Sequence, residues 1–483
     1  MLLPLLAPPN ELQLRLLTEY KSIEDKSNGG CRIVKSLSNL YRRITNKRSK
    51  SNKRKRGDVV EAAIDDKLLN EANDAFNTTQ RINNKLKKLD NAPKGVPVIE
   101  LGGSIFDDCK TIHYDPTIST RKFQVDGKVV PIKFHPTTNR TTKAKPRPQL
   151  DTNIMKLVNP YVIEPSTEEE DAKGNRRDIF KVTFPEEDKD GNEVVVYVMY
   201  AKKNSPCPVL RALHSAALGT NHKNLDNLIG QVTNKYYDDD RLAGGEYIPI
   251  GFGMEGHPEG SNGRPFTLKT LGEPEGIAIN NIIAQIMHAA ARAILEYFPL
   301  VYHSNQQLRA NTNVACPSLS LQNIHCNWFV TQYVIRQIGL GISCSDRWEK
   351  KKRSRQQLIR ENNVSYHYDN GDVSSQHPLL YIPCGGPDGV GGAVKNSDFF
   401  VSNKRTGGKS VRIKTNTPDV VVLVIANSKE QAHGVVVGDE SEENDESAYS
   451  TRIIPFITEK VYKWMVENPS MLPFDRFNNY FKK

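Results

Sequence analysis

From residue 327 onward the chain is cut into short apolar runs at near-regular intervals, and that punctuation limits its fold more than any other feature. The runs are Asn327–Ile335, Val364–Tyr368, Leu379–Ile382, Asp398–Ser402, Lys409–Lys414, Asp419–Ala426, Gly434–Val437 and Thr451–Ile457. They are rich in β-branched and aromatic residues, and turn residues separate them. Each is too short for a buried helix, so they predict strands of a sandwich or jelly roll.

Upstream, the clearest element is a helix over Ile277–Phe298. Its Ile282, Ile283, Ile286, Ala289, Ala290, Ala293 and Ile294 make a broad apolar face, which Pro299 ends. Val194–Tyr200 reads as a strand behind the turn signal Asp190-Gly191, and Lys128–Phe134 as a further short strand. Helical spacing on a polar background recurs over 10–45 and 58–90, while 240–276 is Gly/Pro-rich loop. The expected class is α+β: a double-stranded β-helix, or jelly-roll, core with supporting helices and a basic, partly disordered N-terminal region. The expected divisions are 1–95 (basic, helical or disordered), 96–270 (loop-rich α+β, packing on the core) and 271–483 (the core with its preceding support helix).

Charge is unevenly placed. The 483 residues carry 66 Lys and Arg against 56 Asp and Glu, but residues 1–150 alone hold 29 basic and 16 acidic residues. Arg42-Arg43, Lys47-Arg48-Ser49-Lys50 and Lys53-Arg54-Lys55-Arg56 form a run that cannot be buried and reads as a nuclear-import signal, so the expected location is the nucleus. No apolar stretch approaches a membrane span, and the opening MLLPLLAPP lacks the basic flank of a signal peptide. Seven cysteines without a CxxC pair disfavour a disulfide framework or a zinc knuckle and suit a reducing compartment.

Chemistry concentrates in the β-rich third. In NVSYHYDNGD, His367 and Asp369 stand two apart at a strand end, where side chains of that spacing share a face. His433 follows 64 residues after Asp369, beyond the apolar strand DVVVLVIA. Two imidazoles and one carboxylate, with positions left open, suit non-haem Fe(II) and O2. These three are the candidate metal ligands and catalytic residues. Nineteen residues beyond His433, Arg452 lies on a further strand, where a guanidinium can hold a dicarboxylate bidentately. His377 is a rival ligand, but it precedes Pro378 in an expected loop and has no carboxylate two residues away.

The order His367-x-Asp369, Gly391-Gly392, His433-Gly434-Val435 and Arg452 resembles the 2-oxoglutarate/Fe(II)-dependent dioxygenase superfamily over about residues 325–460. The resemblance implies Fe(II) on the two histidines and the aspartate, and 2-oxoglutarate held by Arg452. Two departures bear on the arginine: an acidic insert, Asp439–Ser447, lengthens its hairpin, and Ile-Ile-Pro follows it. Arg412 and Lys414 are the alternative anchors.

Basic residues flank the ligands: Lys350, Lys351, Lys352 and Arg353 before His367, then Lys404, Arg405 and Lys409 between Asp369 and His433. Such clusters suit phosphate contacts. Tyr366, Tyr368, Trp348, Phe399 and Phe400 offer rings for a flipped base, although Phe399 and Phe400, taken singly, fit a core better. HYDNGD, the Gly-Gly segment and HGV are similar to the TET/JBP-like branch of the superfamily. That likeness implies oxidation of a base methyl group, on 5-methylcytosine or thymine in double-stranded DNA, with O2 as co-substrate. Two other classes fit the same residues: a protein side-chain hydroxylase, and a non-catalytic nuclear DNA-binding protein.

Other motifs fail on context. Gly251-Phe-Gly253-Met-Glu-Gly256 matches a dinucleotide fingerprint, but no helix pattern follows. GGPDGVGG at 385–392 lacks the P-loop Lys-Ser/Thr, and Asp238-Asp239-Asp240 reads as a solvated turn.

Overall fold

The computed structural model describes residues 95–114, 123–130, 133–134, 148–149, 152–187, 191, 193–219, 225–229, 231, 246–254, 263–268, 270, 274–312, 328–339, 364–384, 397–405, 407–436 and 449–468. Outside them lie the helical patterns at 10–45 and 58–90, the basic run at 42–56, Asp238-Asp239-Asp240, Trp348, Lys350, Lys351, Lys352, Arg353, the glycine segment 385–392 and the acidic insert at 439–447. The chain forms two compact units. One comprises 1–94, 310–317 and 469–471; the other holds both large sheets and comprises 95–309, 318–468 and 472–483.

In chain order the first strands are β1 (Val98–Leu101), β2 (Ile112–Tyr114), β3 (Phe123–Val125), β4 (Lys128–Val130), β5 (Lys133–Phe134) and β6 (Pro148–Gln149). Then come α1 (Thr152–Val158), β7 (Tyr161–Ile163), α2 (Glu168–Ala172), β8 (Ile179–Glu187), β9 (Glu193–Lys202) and α3 (Pro208–Leu218). β10 (Glu246–Gly253), β11 (Phe266–Thr267), α4 (Pro274–Tyr297) and α5 (Pro299–Asn311) follow. The last third holds β12 (Gln332–Gly339), β13 (Val364–His367), β14 (His377–Cys384), β15 (Asp398–Lys404), β16 (Gly407–Lys414), β17 (Val420–Ala426), β18 (His433–Val436), β19 (Tyr449–Phe456) and α6 (Glu459–Glu467).

Among the described residues the strands build a nine-stranded sheet, β1-β8-β9-β17-β14-β19-β12-β10-β11, and a second, β13-β18-β15-β16-β2-β3-β4, with β7 also pairing β16. The last eight strands split evenly. β12, β14, β17 and β19 adjoin in the first sheet; β13, β15, β16 and β18 adjoin in the second. That distribution is compatible with a jelly roll. No helix among the described residues is long and apolar enough to cross a membrane.

The two sheets face each other across one apolar cluster. Phe180, Val182, Val196, Val198, Tyr200, Tyr381, Val422 and Val424 of the first meet Ile163, Phe399, Val401, Val411, Ile413 and Val435 of the second. β17 is buried at every position. Its Val420, Val422, Val424 and Ala426 join that cluster, while the alternating residues point to the opposite face, which α3 covers. Tyr200 Oη also ties the sheets, donating to the Ile163 carbonyl at 2.9 Å, a bond of about 1 kcal/mol.

The strand runs read in the last third reappear, with one shift; Lys128–Phe134 instead divides between β4 of the second sheet and β5, which pairs β6, and the expected loop 240–276 carries β10 and β11. Asn327–Ile335 starts too early, because Trp328 and Phe329 precede β12. Asn305 of α5 holds that lead-in: its Nδ2 donates to the Phe329 carbonyl at 2.9 Å and its Oδ1 accepts from the Phe329 N–H at 2.8 Å. A side-chain amide thus replaces a strand partner. The residues of 96–270 do more than pack on the core: β1 and β8–β11 lengthen the first sheet, and β2–β4 the second. Pro299 ends α4 and also opens α5, where its missing N–H costs nothing. Gly251 and Gly253 lie within β10 itself, which pairs antiparallel with β11 and β12, rather than in a turn that follows a strand.

Candidate metal centre

β13 and β18 pair antiparallel with His367 opposite His433. Directly opposed residues project to one face, and the imidazole centroids stand 4.4 Å apart. Val401 of β15 lies opposite His433 in turn and belongs to the inter-sheet core, so this face looks into the space between the sheets. Asp369 sits just past β13, where its N–H donates to the Ser428 carbonyl at 2.9 Å. Its Oδ1 is 3.6 Å from His367 Nε2 and its Oδ2 3.5 Å from His433 Nε2. One ligand atom from each residue falls within 4.8 Å of the other two, and among the described residues this is the one such cluster.

The loop carrying Asp369 is held on several sides. Val373 N–H donates to the Ile457 carbonyl at 2.9 Å, and Glu459 N–H to the Gly371 carbonyl at 2.8 Å. Asp372, buried, accepts from Ser428 Oγ at 3.1 Å. His433 Nδ1 lies 3.0 Å from the Gln431 carbonyl. A carbonyl only accepts, so Nδ1 carries a proton and Nε2 is the nitrogen that faces Asp369 and His367: it donates to the carboxylate when protonated and offers its lone pair to a metal when it is not. Side-chain exposure is 28% for His367 and 39% for Asp369 but 9% for His433. The cluster therefore opens on its His367–Asp369 side.

Electrostatics match the geometry. Burial works to raise the Asp369 carboxyl, but the His433 hydrogen bond and the charges of His433 and His367 hold it well below the usual carboxylate range. Burial works to lower the His433 imidazole, and the hydrogen bond and charge of Asp369 raise it above its ordinary value. Burial, with the Asp369 charge behind it, pushes Asp372 up to about 7. Two imidazole nitrogens and a carboxylate, without a thiolate, suit ferrous iron as a ligand set.

Arg452 lies on β19 opposite Tyr381 of β14. It is 3% exposed. Its guanidinium carbon lies 5.0 Å from the Tyr381 ring centroid, and its Nη2 donates to Ser397 Oγ at 2.9 Å. Ser397 precedes β15 of the opposite sheet, so Arg452 reaches across the inter-sheet space. Phe399 links the two regions, 5.7 Å from Tyr381 and 5.9 Å from His433 by ring centroids. Arg452 Nε is buried without a hydrogen-bond partner, and no ion pair to it occurs among the described residues. Burial pushes its pKa down to about 10. A buried cation left this way is costly unless an anion completes it.

The other expected residues fare differently. Arg412 and Lys414 both pair with buried Asp398, at 2.5 and 3.5 Å, so neither is open to a co-substrate. His377 opens β14 rather than lying in a loop; its Nε2 lies 3.0 Å from the Val373 carbonyl, which occupies it. Lys404 pairs with Glu186, and Lys409 Nζ donates to the Cys109 carbonyl. Arg405 lies over the Tyr368 ring, 4.0 Å from its centroid. Tyr366, Phe399 and Phe400 are core. Ser397 and Tyr381 have no sequence signal, because their place beside Arg452 depends on how two sheets face.

No family model and no curated protein sequence matches the chain. Among solved structures, NgTET1 in complex with 5mC DNA matches with a TM-score of 0.31 and 14% identity, over 67% of this chain and 89% of that one. A full-length Neurospora crassa protein in complex with alpha-KG matches at 0.23 and 12%, over 54% and 74%. A bsmA homolog from Methylobium petroleophilum matches at 0.20 and 12%, over 53% and 95%. At these TM-scores the likeness is too distant to define fold or chemistry.

Proposed function

We propose that the protein is an Fe(II)- and 2-oxoglutarate-dependent dioxygenase that oxidises the methyl group of a base in double-stranded DNA. The observation that carries this reading is the convergence of His367, Asp369 and His433 at one side of an inter-sheet space that also holds a buried, incompletely partnered Arg452. When bound, iron, 2-oxoglutarate and O2 supply the oxidant that converts a C–H bond to C–OH, with 2-oxoglutarate leaving as succinate and CO2.

The chain's own residues do the rest. His433, oriented by the Gln431 carbonyl, and Asp369, kept ionised, present fixed lone pairs; His367 completes the set from the exposed side. Arg452, aimed by Ser397 and backed by Tyr381, offers its Nε edge to a carboxylate in a site shielded from water. A base reaches the open His367–Asp369 side only when flipped from its stack. The DNA reading draws on the HYDNGD and HGV likeness and on the basic residues about the ligands. A nuclear location, drawn from Lys53–Arg56, belongs to the same reading.

The test is mass spectrometry of nucleosides from methylated DNA incubated with the protein, Fe(II), 2-oxoglutarate and ascorbate. Oxidised methyl bases are expected. Their absence while 2-oxoglutarate is consumed would move the substrate to a protein side chain; no consumption, with DNA still bound, would leave a non-catalytic binder.

A further inference from the structure

Arg452 does not stand alone on its face of the first sheet. β19 lies between β14 and β12, and Tyr381, Arg452 and Arg336 oppose one another in register across the three strands. Directly opposed residues share a face, with Cβ atoms about 5 Å apart. The row therefore sets two arginines side by side on the face that Tyr381 presents to the inter-sheet core. The next residues along β12 and β19 turn the other way, where Gln337 Nε2 donates to Thr451 Oγ1 at 3.3 Å and to Asp226 Oδ1 at 2.7 Å. Electrostatics agree with the row: burial pushes the Tyr381 phenol up, while the charges of Arg452 and then Arg336 pull it down.

Like charges directly opposite on an antiparallel pair repel. Here one of the two, Arg452, is buried and the other, Arg336, half-buried, so water screens them poorly. β19 also leaves donors unused on this face. Arg452 Nε is buried without a hydrogen-bond partner, and so is the Oγ of buried Ser450, two residues earlier on the same strand and face. A repelling cation pair beside two unused donors is an arrangement that an anion completes.

We propose that Arg336 is the second cation of a two-guanidinium carboxylate anchor, acting with Arg452 to select a dicarboxylate co-substrate over a keto acid with an uncharged tail. This deepens, and rests on, the reading of Arg452 as the co-substrate anchor. One carboxylate between two guanidiniums accepts hydrogen bonds from both planar forks and cancels the repulsion that the pair otherwise carries. On the competing account Arg336 is a structural cation of β12 that no ligand meets.

The test compares two ligands by calorimetry on the full-length protein loaded with Mn(II) without O2: 2-oxoglutarate, and 2-oxopentanoate, which keeps the chain length but lacks the distal carboxylate. Arg336→Gln should weaken 2-oxoglutarate about tenfold or more and leave 2-oxopentanoate within about twofold. Arg336→Lys should recover part of the loss, because it keeps the charge without the fork. Unchanged 2-oxoglutarate affinity in Arg336→Gln would overturn the anchor, and so would an equal loss for both keto acids, which is the mark of a structural role. A second arm needs no metal: at matched ionic strength, glutarate should raise the melting temperature of the wild-type protein above the rise given by butyrate, and Arg336→Gln should lose that difference. If the Mn(II)-loaded wild type binds no 2-oxoglutarate, the co-substrate reading fails by itself, and the glutarate melts still decide the arginine pair. Equal glutarate shifts in wild type and Arg336→Gln would overturn it.

Discussion

His433 and Asp369 approach to 3.5 Å between Nε2 and Oδ2, and each shifts the other's proton affinity in the direction of an ion pair. In the metal-free protein this has a stability consequence with a defined sign. A depressed carboxyl contributes above its unfolded value of about 3.9 and loses that contribution as pH falls through its folded value. A raised imidazole contributes fully below about 6.5 and loses it as pH rises through its folded value. Asp369→Asn should therefore lower the melting temperature most between about pH 4 and 6.5. Mn(II) should extend the wild-type advantage above pH 7, where the imidazoles are neutral ligands. A deficit that is flat across pH would contradict the pairing.

Asp372 behaves in the opposite way. Its folded pKa of about 7 lies above the unfolded value, so the fold favours the protonated form, and stability falls as pH rises from about 4 to 7. Asp372→Asn keeps an acceptor for Ser428 Oγ and removes the buried charge. Thermal melts of the metal-free variant should show a gain of about 1–3 kcal/mol at pH 8 that shrinks to about a third of that at pH 5. A loss at pH 8 would refute the burial penalty.

Arg452→Met separates stability from binding. Removing a buried guanidinium whose Nε lacks a partner should leave the free protein as stable as wild type, or more so. The same change should weaken 2-oxoglutarate binding to the Mn(II)-loaded protein about 100-fold or more, by calorimetry. Retained binding would release Arg452 from the co-substrate.

Asn305→Ala should cost about 2–4 kcal/mol in denaturant unfolding, since it leaves both the N–H and the carbonyl of buried Phe329 without partners. A change within about 0.5 kcal/mol, the scatter of surface substitutions, would mean that water replaces the amide.

The legible parts of this chain are those encoded by neighbours in sequence. Alternation and turn residues mark β13–β19 to within a few positions, and the His-x-Asp spacing marks two candidate ligands at a strand end. What escaped depends on contacts between distant segments. Asp398 neutralises Arg412 and Lys414 only because β15 and β16 pair in one register. Arg452 meets Ser397 only because two sheets face each other, and β9 joins the core because it borders β17. His377 looked like a loop residue beside a proline, yet its ring is bound by a carbonyl four residues back.

The most direct measurement is succinate formation in air by the full-length protein loaded anaerobically with Fe(II) and supplied with 2-oxoglutarate, compared with Asp369→Ala. The expected result is succinate from the wild-type protein and none above background from the variant. Equal succinate from both, or none from the metal-loaded wild type, would contradict the assignment of His367, Asp369 and His433 as an iron centre.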